Sequence, residues 1–236
     1  MSINQELFNE VWERTKKRYL TSQEQPKAYV LGGQSGSGKS YLIKEVKEEL
    51  NNNVIVINGD DFRKYHPDYE KLQKEQGKDS PKFTAQFAGE MTEAILKKAI
   101  YKKYNIVIEG TFRTSETPLK TLKQLKDSAY ETNVYIKATS KEQSWQNCLE
   151  RYNKMLELDP REARYTDKTH HDLIVDNLAQ NVEIVSKSPY VDNLKVFTTK
   201  GKIYDRNIDK SKDLKSTIQQ ELDRDIALKE KQKRVP

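Results

Sequence analysis

Short apolar runs recur between amphipathic stretches at the spacing of parallel crossovers. Two of those runs are apolar at every position, and another opens directly into a glycine-rich segment ending in Lys-Ser. Together these predict an α/β chain: an open, mostly parallel sheet flanked by helices, of the P-loop NTPase type and built like a small-molecule kinase.

The elements follow in order. Leu7, Phe8, Val11, Trp12 and Tyr19 recur at helical spacing, which predicts a helix over 4–20. Tyr29-Val30-Leu31 marks a strand over 27–32, and Leu42, Ile43 and Val46 mark a helix over 40–50. The unbroken run 54–57 reads as a strand buried on both faces, as does 106–108. Between them, 58–81 reads as a charged, tyrosine-rich loop and 83–104 as a long helix. Helices over 115–128, 141–158 and 169–185 alternate with a strand at 134–136 and a polar loop at 159–168. Strands at 194–197 and 203–204 flank a Lys200-Gly201 turn, and Leu214, Ile218, Leu222 and Ile226 give the tail weak helical spacing. The last fifteen residues read as a solvated, fraying helix. Residues 1–236 are read as one kinase domain, with an N-terminal helix in 1–22, a catalytic core in 25–205 and a charged helical extension in 207–236.

Composition narrows the function. The chain carries 42 basic and 36 acidic residues for a net charge of +6, with 35% hydrophobic and 33% charged residues. Acids and bases are interleaved, which argues against nucleic acid and suits a small anionic substrate. No apolar stretch reaches the roughly 18 residues a bilayer span needs, and the N-terminus has no signal-peptide pattern. The expectation is a cytoplasmic protein with neither membrane nor nucleic-acid partner. Cys148, the single cysteine, excludes an intrachain disulfide and reads as a core residue on a helical face.

Gly33-Gln34-Ser35-Gly36-Ser37-Gly38-Lys39-Ser40 matches G-x-x-x-x-G-K-[ST] in full, between a strand and a helix. Glycines there let backbone N–H groups turn toward phosphate oxygens, and the helix start adds its positive dipole end. Lys39 is placed for the β- and γ-phosphates and Ser40 for one Mg²⁺ position. The expected nucleotide is ATP rather than GTP.

Ligands of open parallel sheets sit beyond the carboxyl ends of strands, and two strand ends carry acids here. Asp60 and Asp61 follow 54–57; either is a candidate base on an acceptor hydroxyl, and both could instead cap the next segment. Glu109 follows 106–108 as a Mg²⁺-side group, an acceptor contact or a satisfied strand-end acid. Arg151, Arg161 and Arg164 fall where a kinase lid would stabilise transferring charge, and Arg113 would face the acceptor; each could equally be a solvated surface arginine. His66, His170 and His171 have no metal-like partners, so no structural zinc is expected.

The phosphate motif, Val54-Ile55-Val56-Ile57-Asn58-Gly59-Asp60-Asp61-Phe62, His66-Pro67, Met91-Thr92-Glu93-Ala94-Ile95, Val107-Ile108-Glu109-Gly110-Thr111-Phe112-Arg113-Thr114 and Glu150-Arg151-Tyr152 together resemble the zeta toxin family over roughly 25–205. The resemblance implies a UDP-N-acetylglucosamine kinase of a toxin–antitoxin pair, which phosphorylates the 3′-hydroxyl of the sugar and blocks cell-wall synthesis. It implies Asp60 as the base, Glu93, Thr111 and Arg113 as acceptor-site residues, and Glu109 as a support of the catalytic centre. Arg151 and Arg164 match the transition-state arginines. The implied partner is a small helical antitoxin that covers the nucleotide site, in a heterotetramer of two toxins and two antitoxins. Many members carry an acid where Asn58 stands; here the acids are the adjacent Asp60 and Asp61. Two readings compete: another small-molecule kinase, acting on an antibiotic or a nucleotide, and a nucleotide-dependent switch acting through a partner.

Overall fold

The computed structural model describes residues 3–160 and 163–225. Six strands, β1 (Lys27–Gly32), β2 (Ile55–Ile57), β3 (Ile106–Glu109), β4 (Glu131–Lys137), β5 (Asn193–Thr198) and β6 (Gly201–Asp205), form one sheet in the order β2-β3-β1-β4-β5-β6. All neighbours are parallel except β5 and β6, which form an antiparallel hairpin. The register sets Leu31 beside both Glu109 and Tyr135, so β1 and β3 end together at the edge where the phosphate loop begins.

Nine α-helices accompany the strands among the described residues: α1 (Gln5–Thr15), α2 (Ser40–Glu49), α3 (Gly59–Phe62), α4 (Tyr69–Gln76), α5 (Ser80–Tyr101), α6 (Glu116–Asp127), α7 (Lys141–Leu158), α8 (Lys168–Ser186) and α9 (Leu214–Leu222). The alternation along each strand sorts the core into two layers. Ala28, Val30, Ile106, Ile108, Val134, Ile136 and Val196 face the large cluster, packed with Met91 and Ile95 of α5, Leu122 of α6, Leu178 of α8 and Ile218 of α9. Tyr29, Leu31, Val107, Tyr135 and Phe197 face a smaller cluster with Leu42 and Val46 of α2.

Most expected elements stand within a few residues of their predicted bounds, and α7 spans 141–158 as predicted. Its start is fixed by Ser140, whose hydroxyl accepts from the Gln143 N–H. The segment 58–81 departs from expectation: it is largely helical, with α3, α4 and two single 3₁₀ turns. Asn58 starts α3, its side chain accepting from the Asp60 N–H at 3.0 Å. The short, polar α4 buries only Tyr69, too little apolar spacing for a helix to show in the sequence. Strand β4 begins three residues early because its polar Thr132 and Asn133 are buried, Thr132 by hydrogen bonds to Tyr190 and Asp192. Arg161 and the tail from 226 onward lie outside the described residues.

Candidate active site

The phosphate loop is shaped by what presses on it. A Cβ at Gly33, where φ is +138°, would lie 2.4 Å from the Lys137 carbonyl oxygen; one at Gly36, φ +74°, would lie 2.0 Å from that of Ser144. Only glycine fits either position. Gln34 is fully buried, its side-chain amide donating to the Thr139 carbonyl and to Ser144 Oγ. The Thr139 hydroxyl donates to the Ser37 carbonyl at 3.0 Å. Lys39 folds over the loop, donating to the Gly33 and Gln34 carbonyls at 2.8 and 3.1 Å. Burial pulls its ammonium down from the usual lysine range, against the opposing pull of Glu109. Ser37 Oγ and Gln34 Oε1 are buried without a protein partner. Orphaned polar atoms in a cradle that only glycines permit are the arrangement a polyanion would complete. Ser40, the first residue of α2, is exposed at the helix start.

Cys148 is 2% exposed as expected. It packs under this loop, however, its sulfur 2.9 Å from where a Gly36 Cβ would stand. Burial pushes its thiol up, so it is no activated nucleophile.

Across from the loop stand the acids. The side chain of Asp60 is 57% exposed and accepts from Arg63 Nε at 2.7 Å. Surrounding protein costs its charge some hydration, but Arg63, Arg164 and Arg151 outweigh that and hold the carboxyl below the usual carboxylate range. Arg63 is in turn anchored to the start of α5 through the Pro81 carbonyl and the Thr84 hydroxyl. Asp61 instead faces Arg164, with both guanidinium nitrogens 3.4 Å from Oδ1. Since Asn58 caps α3, neither acid is consumed as its cap. Glu109 is pushed up by burial and by Asp60 and Asp61, with Lys39 opposing. Arg151 donates to the Thr166 hydroxyl at 3.1 Å. Lys39, Asp60, Asp61, Glu109, Arg151 and Arg164 are therefore one electrostatic group, gathered from five segments of chain.

Thr111 and Arg113 flank Phe112, a buried residue at φ +56°. That left-handed conformation is costly for a non-glycine. Two contacts hold it: the ring packs where a Cβ on Gly32 would come within 2.6 Å, and Asn181 of α8 donates to the Phe112 and Arg113 carbonyls at 3.0 and 2.8 Å. Glu93 stands apart from the Lys39 group, on the face of α5 toward α6, pairing with Lys97 at 3.3 Å and Lys120 at 3.7 Å.

Sequence reasoning missed Arg63 and Asn181. Arg63 had a local signal, three residues beyond Asp60 on a turn opened by an Asn cap. Asn181 had none, since it acts across 68 residues of chain. Among the described residues, no helix is long and apolar enough to cross a membrane.

Comparison with known proteins shows which family the chain resembles. Residues 9–209 match the family described as Zeta toxin. The chain is 38% identical over 219 residues to toxin zeta of Streptococcus agalactiae, covering 92% of this chain and 76% of that protein. It is 39% identical over 184 residues to toxin PezT of Streptococcus pneumoniae, covering 78% and 73%. A solved chain from the PezAT chromosomal toxin–antitoxin system of Streptococcus pneumoniae superposes with a TM-score of 0.82 at 31% identity, covering 94% of this chain and 88% of that one.

Proposed function

The chain belongs to the zeta toxin family, and from that premise we propose that it is an ATP-dependent kinase acting on the 3′-hydroxyl of the N-acetylglucosamine ring of UDP-N-acetylglucosamine. The observation that carries the phosphotransferase reading is the grouping of Lys39, Asp60, Glu109, Arg151 and Arg164 around a phosphate loop whose shape is fixed from outside. The sugar acceptor rests on the family motifs.

Lys39 leaves its resting carbonyls for the β- and γ-phosphates, exchanging two neutral acceptors for charged ones. Ser40 would hold Mg²⁺ together with the phosphates, as suits an ion that prefers substrate oxygens and water to a protein cage; the ion neutralises phosphate charge when bound. Asp60, ionised and steadied by Arg63, accepts the proton of the sugar hydroxyl. Arg151 and Arg164 bring positive charge to the oxygens of the transferring group. Thr111 and Arg113 border the acceptor, with the guanidinium suited to its diphosphate; Glu93 joins them only if α5 and α6 part its lysine pairs. Glu109 supports the charge of Lys39.

In the cell this reading makes the chain a cytoplasmic toxin that diverts a cell-wall precursor. A small helical antitoxin covering the nucleotide site would neutralise it, in a heterotetramer of two and two. A test is incubation with ATP, Mg²⁺ and UDP-N-acetylglucosamine, followed by mass spectrometry. One added phosphate on the sugar nucleotide is expected. Transfer to a different acceptor, with none to this one, overturns the substrate; ATP turnover without any acceptor product favours the switch.

A further inference from the structure

Behind the phosphate loop lies a polar chain that the chemistry above does not use. Gln34 Nε2 is 3.2 Å from Ser144 Oγ, Ser144 Oγ is 2.9 Å from His171 Nε2, and His171 Nδ1 is 3.1 Å from Asp172 Oδ1. Gln34, Ser144 and His171 are all 0% exposed. They come from the loop, from α7 and from α8.

The donors can be assigned by elimination. An ionised Asp172 only accepts, so Nδ1 of His171 carries the hydrogen and Nε2 is left as an acceptor. The Ser144 hydroxyl lies 3.1 Å from the Lys141 carbonyl of its own helix and 2.9 Å from Nε2; it is the donor that satisfies Nε2, and its own lone pair receives the Gln34 amide. The second Gln34 amide hydrogen goes to the Thr139 carbonyl. From Gln34 through Ser144 to His171 the donors thus point one way, toward a carboxylate that Lys168 also holds. A hydrolytic Ser-His-Asp site is excluded by the same facts: the serine is sealed from solvent and its lone pair is occupied.

Gln34 is where the chain meets function. Its side chain is anchored by the relay while its backbone carbonyl holds the resting Lys39 ammonium. Ser144 touches the loop a second time through the carbonyl that restricts Gly36.

We propose that Ser144 and His171 are positioning residues for nucleotide binding, forming with Asp172 a buried donor chain that sets Gln34 and through it the phosphate loop. The inference rests on the ATP reading above. It adds a connection between the loop and α8, the helix that also carries Asn181.

The test measures Kd for a non-hydrolysable ATP analogue with Mg²⁺, and the melting temperature without ligand, in the full chain and its variants. Ser144→Ala and His171→Leu are expected to raise Kd roughly tenfold each, as for loss of a buried hydrogen bond with its partner left unpaired. Together they should raise it no more than the larger single change, because one chain is broken in either case. His171→Gln, which keeps an acceptor near Nε2, is expected to recover most of the affinity. Variants that melt lower but bind within twofold of wild type overturn the proposal, since packing alone would do that. If His171→Leu does not fold, Ser144→Ala decides by the same criterion. A wild-type chain that binds no ATP analogue overturns the nucleotide reading itself, and the relay's role with it.

Discussion

On the phosphate-loop side, Gln34, Ser37 and Lys39 are buried, and glycines are pinned against the backbone of β4 and α7. On the side of the acids, Asp60 and Asp61 have side chains 57% and 59% exposed and are held by arginines. The first side is built before any ligand arrives. The second is held by charge pairs that a ligand can rearrange, each worth little by itself in water. On the proposed reading, a site divided in this way would grip one substrate by shape and gather the other by electrostatics.

The sharpest way to break that comparison is at the rigid side. Lys39→Ala is expected to lower transfer on the order of 10³-fold or more, and Gly36→Ala to do as much by driving a Cβ into the Ser144 carbonyl; near-normal turnover of either in a kinase assay removes the cradle from the chemistry. Next, Asp60→Asn is expected to cost about 10²–10⁴-fold in kcat with ATP affinity kept, while Asp61→Asn costs far less. The reverse order would make Asp61 the base.

Smaller changes sharpen the contrast. Arg63→Gln removes a cation that holds the Asp60 carboxyl down. The carboxylate then protonates at a higher pH, so the acid limb of the kcat profile should shift to higher pH, with activity lost sooner as pH is lowered; an unmoved limb means Asp60 does not set it. Asn181→Ala should raise KM for the acceptor roughly tenfold and leave KM for ATP unchanged, because it frees only the Thr111–Arg113 turn. The smallest effect is expected at Glu93→Gln, and an acceptor KM within twofold of wild type takes that residue out of the site.

What could be read from sequence follows from how local each feature is. The runs 54–57 and 106–108 read as strands because both faces are buried, and the phosphate motif reads as a loop because it is contiguous. Asp60 and Glu109 were legible as strand ends once the sheet was inferred. The α3–α4 region was not, because its turns are started by Asn58 and closed by polar contacts rather than by an apolar stripe. Asn181, Ser144 and His171 were invisible as site residues, since each acts through a fold that brings together positions far apart in the chain. No spacing rule links His171 to Gln34. The neighbouring Asp60 and Asp61 could not be told apart by position; the structure gives them different arginines.

The smaller of the two cores has a consequence for the lifetime of the protein. Its helical side chains, Leu42, Ile43, Val46 and Leu50, all come from α2 and the residue that ends it, and α2 begins at Ser40. Whatever engages the phosphate loop therefore ties down the roof of that core. Proteases act on transiently opened forms in proportion to how often these occur. On the ATP reading proposed above, a chain with its loop filled should be cut more slowly than an empty one, and nucleotide supply would govern the persistence of the protein as well as its work.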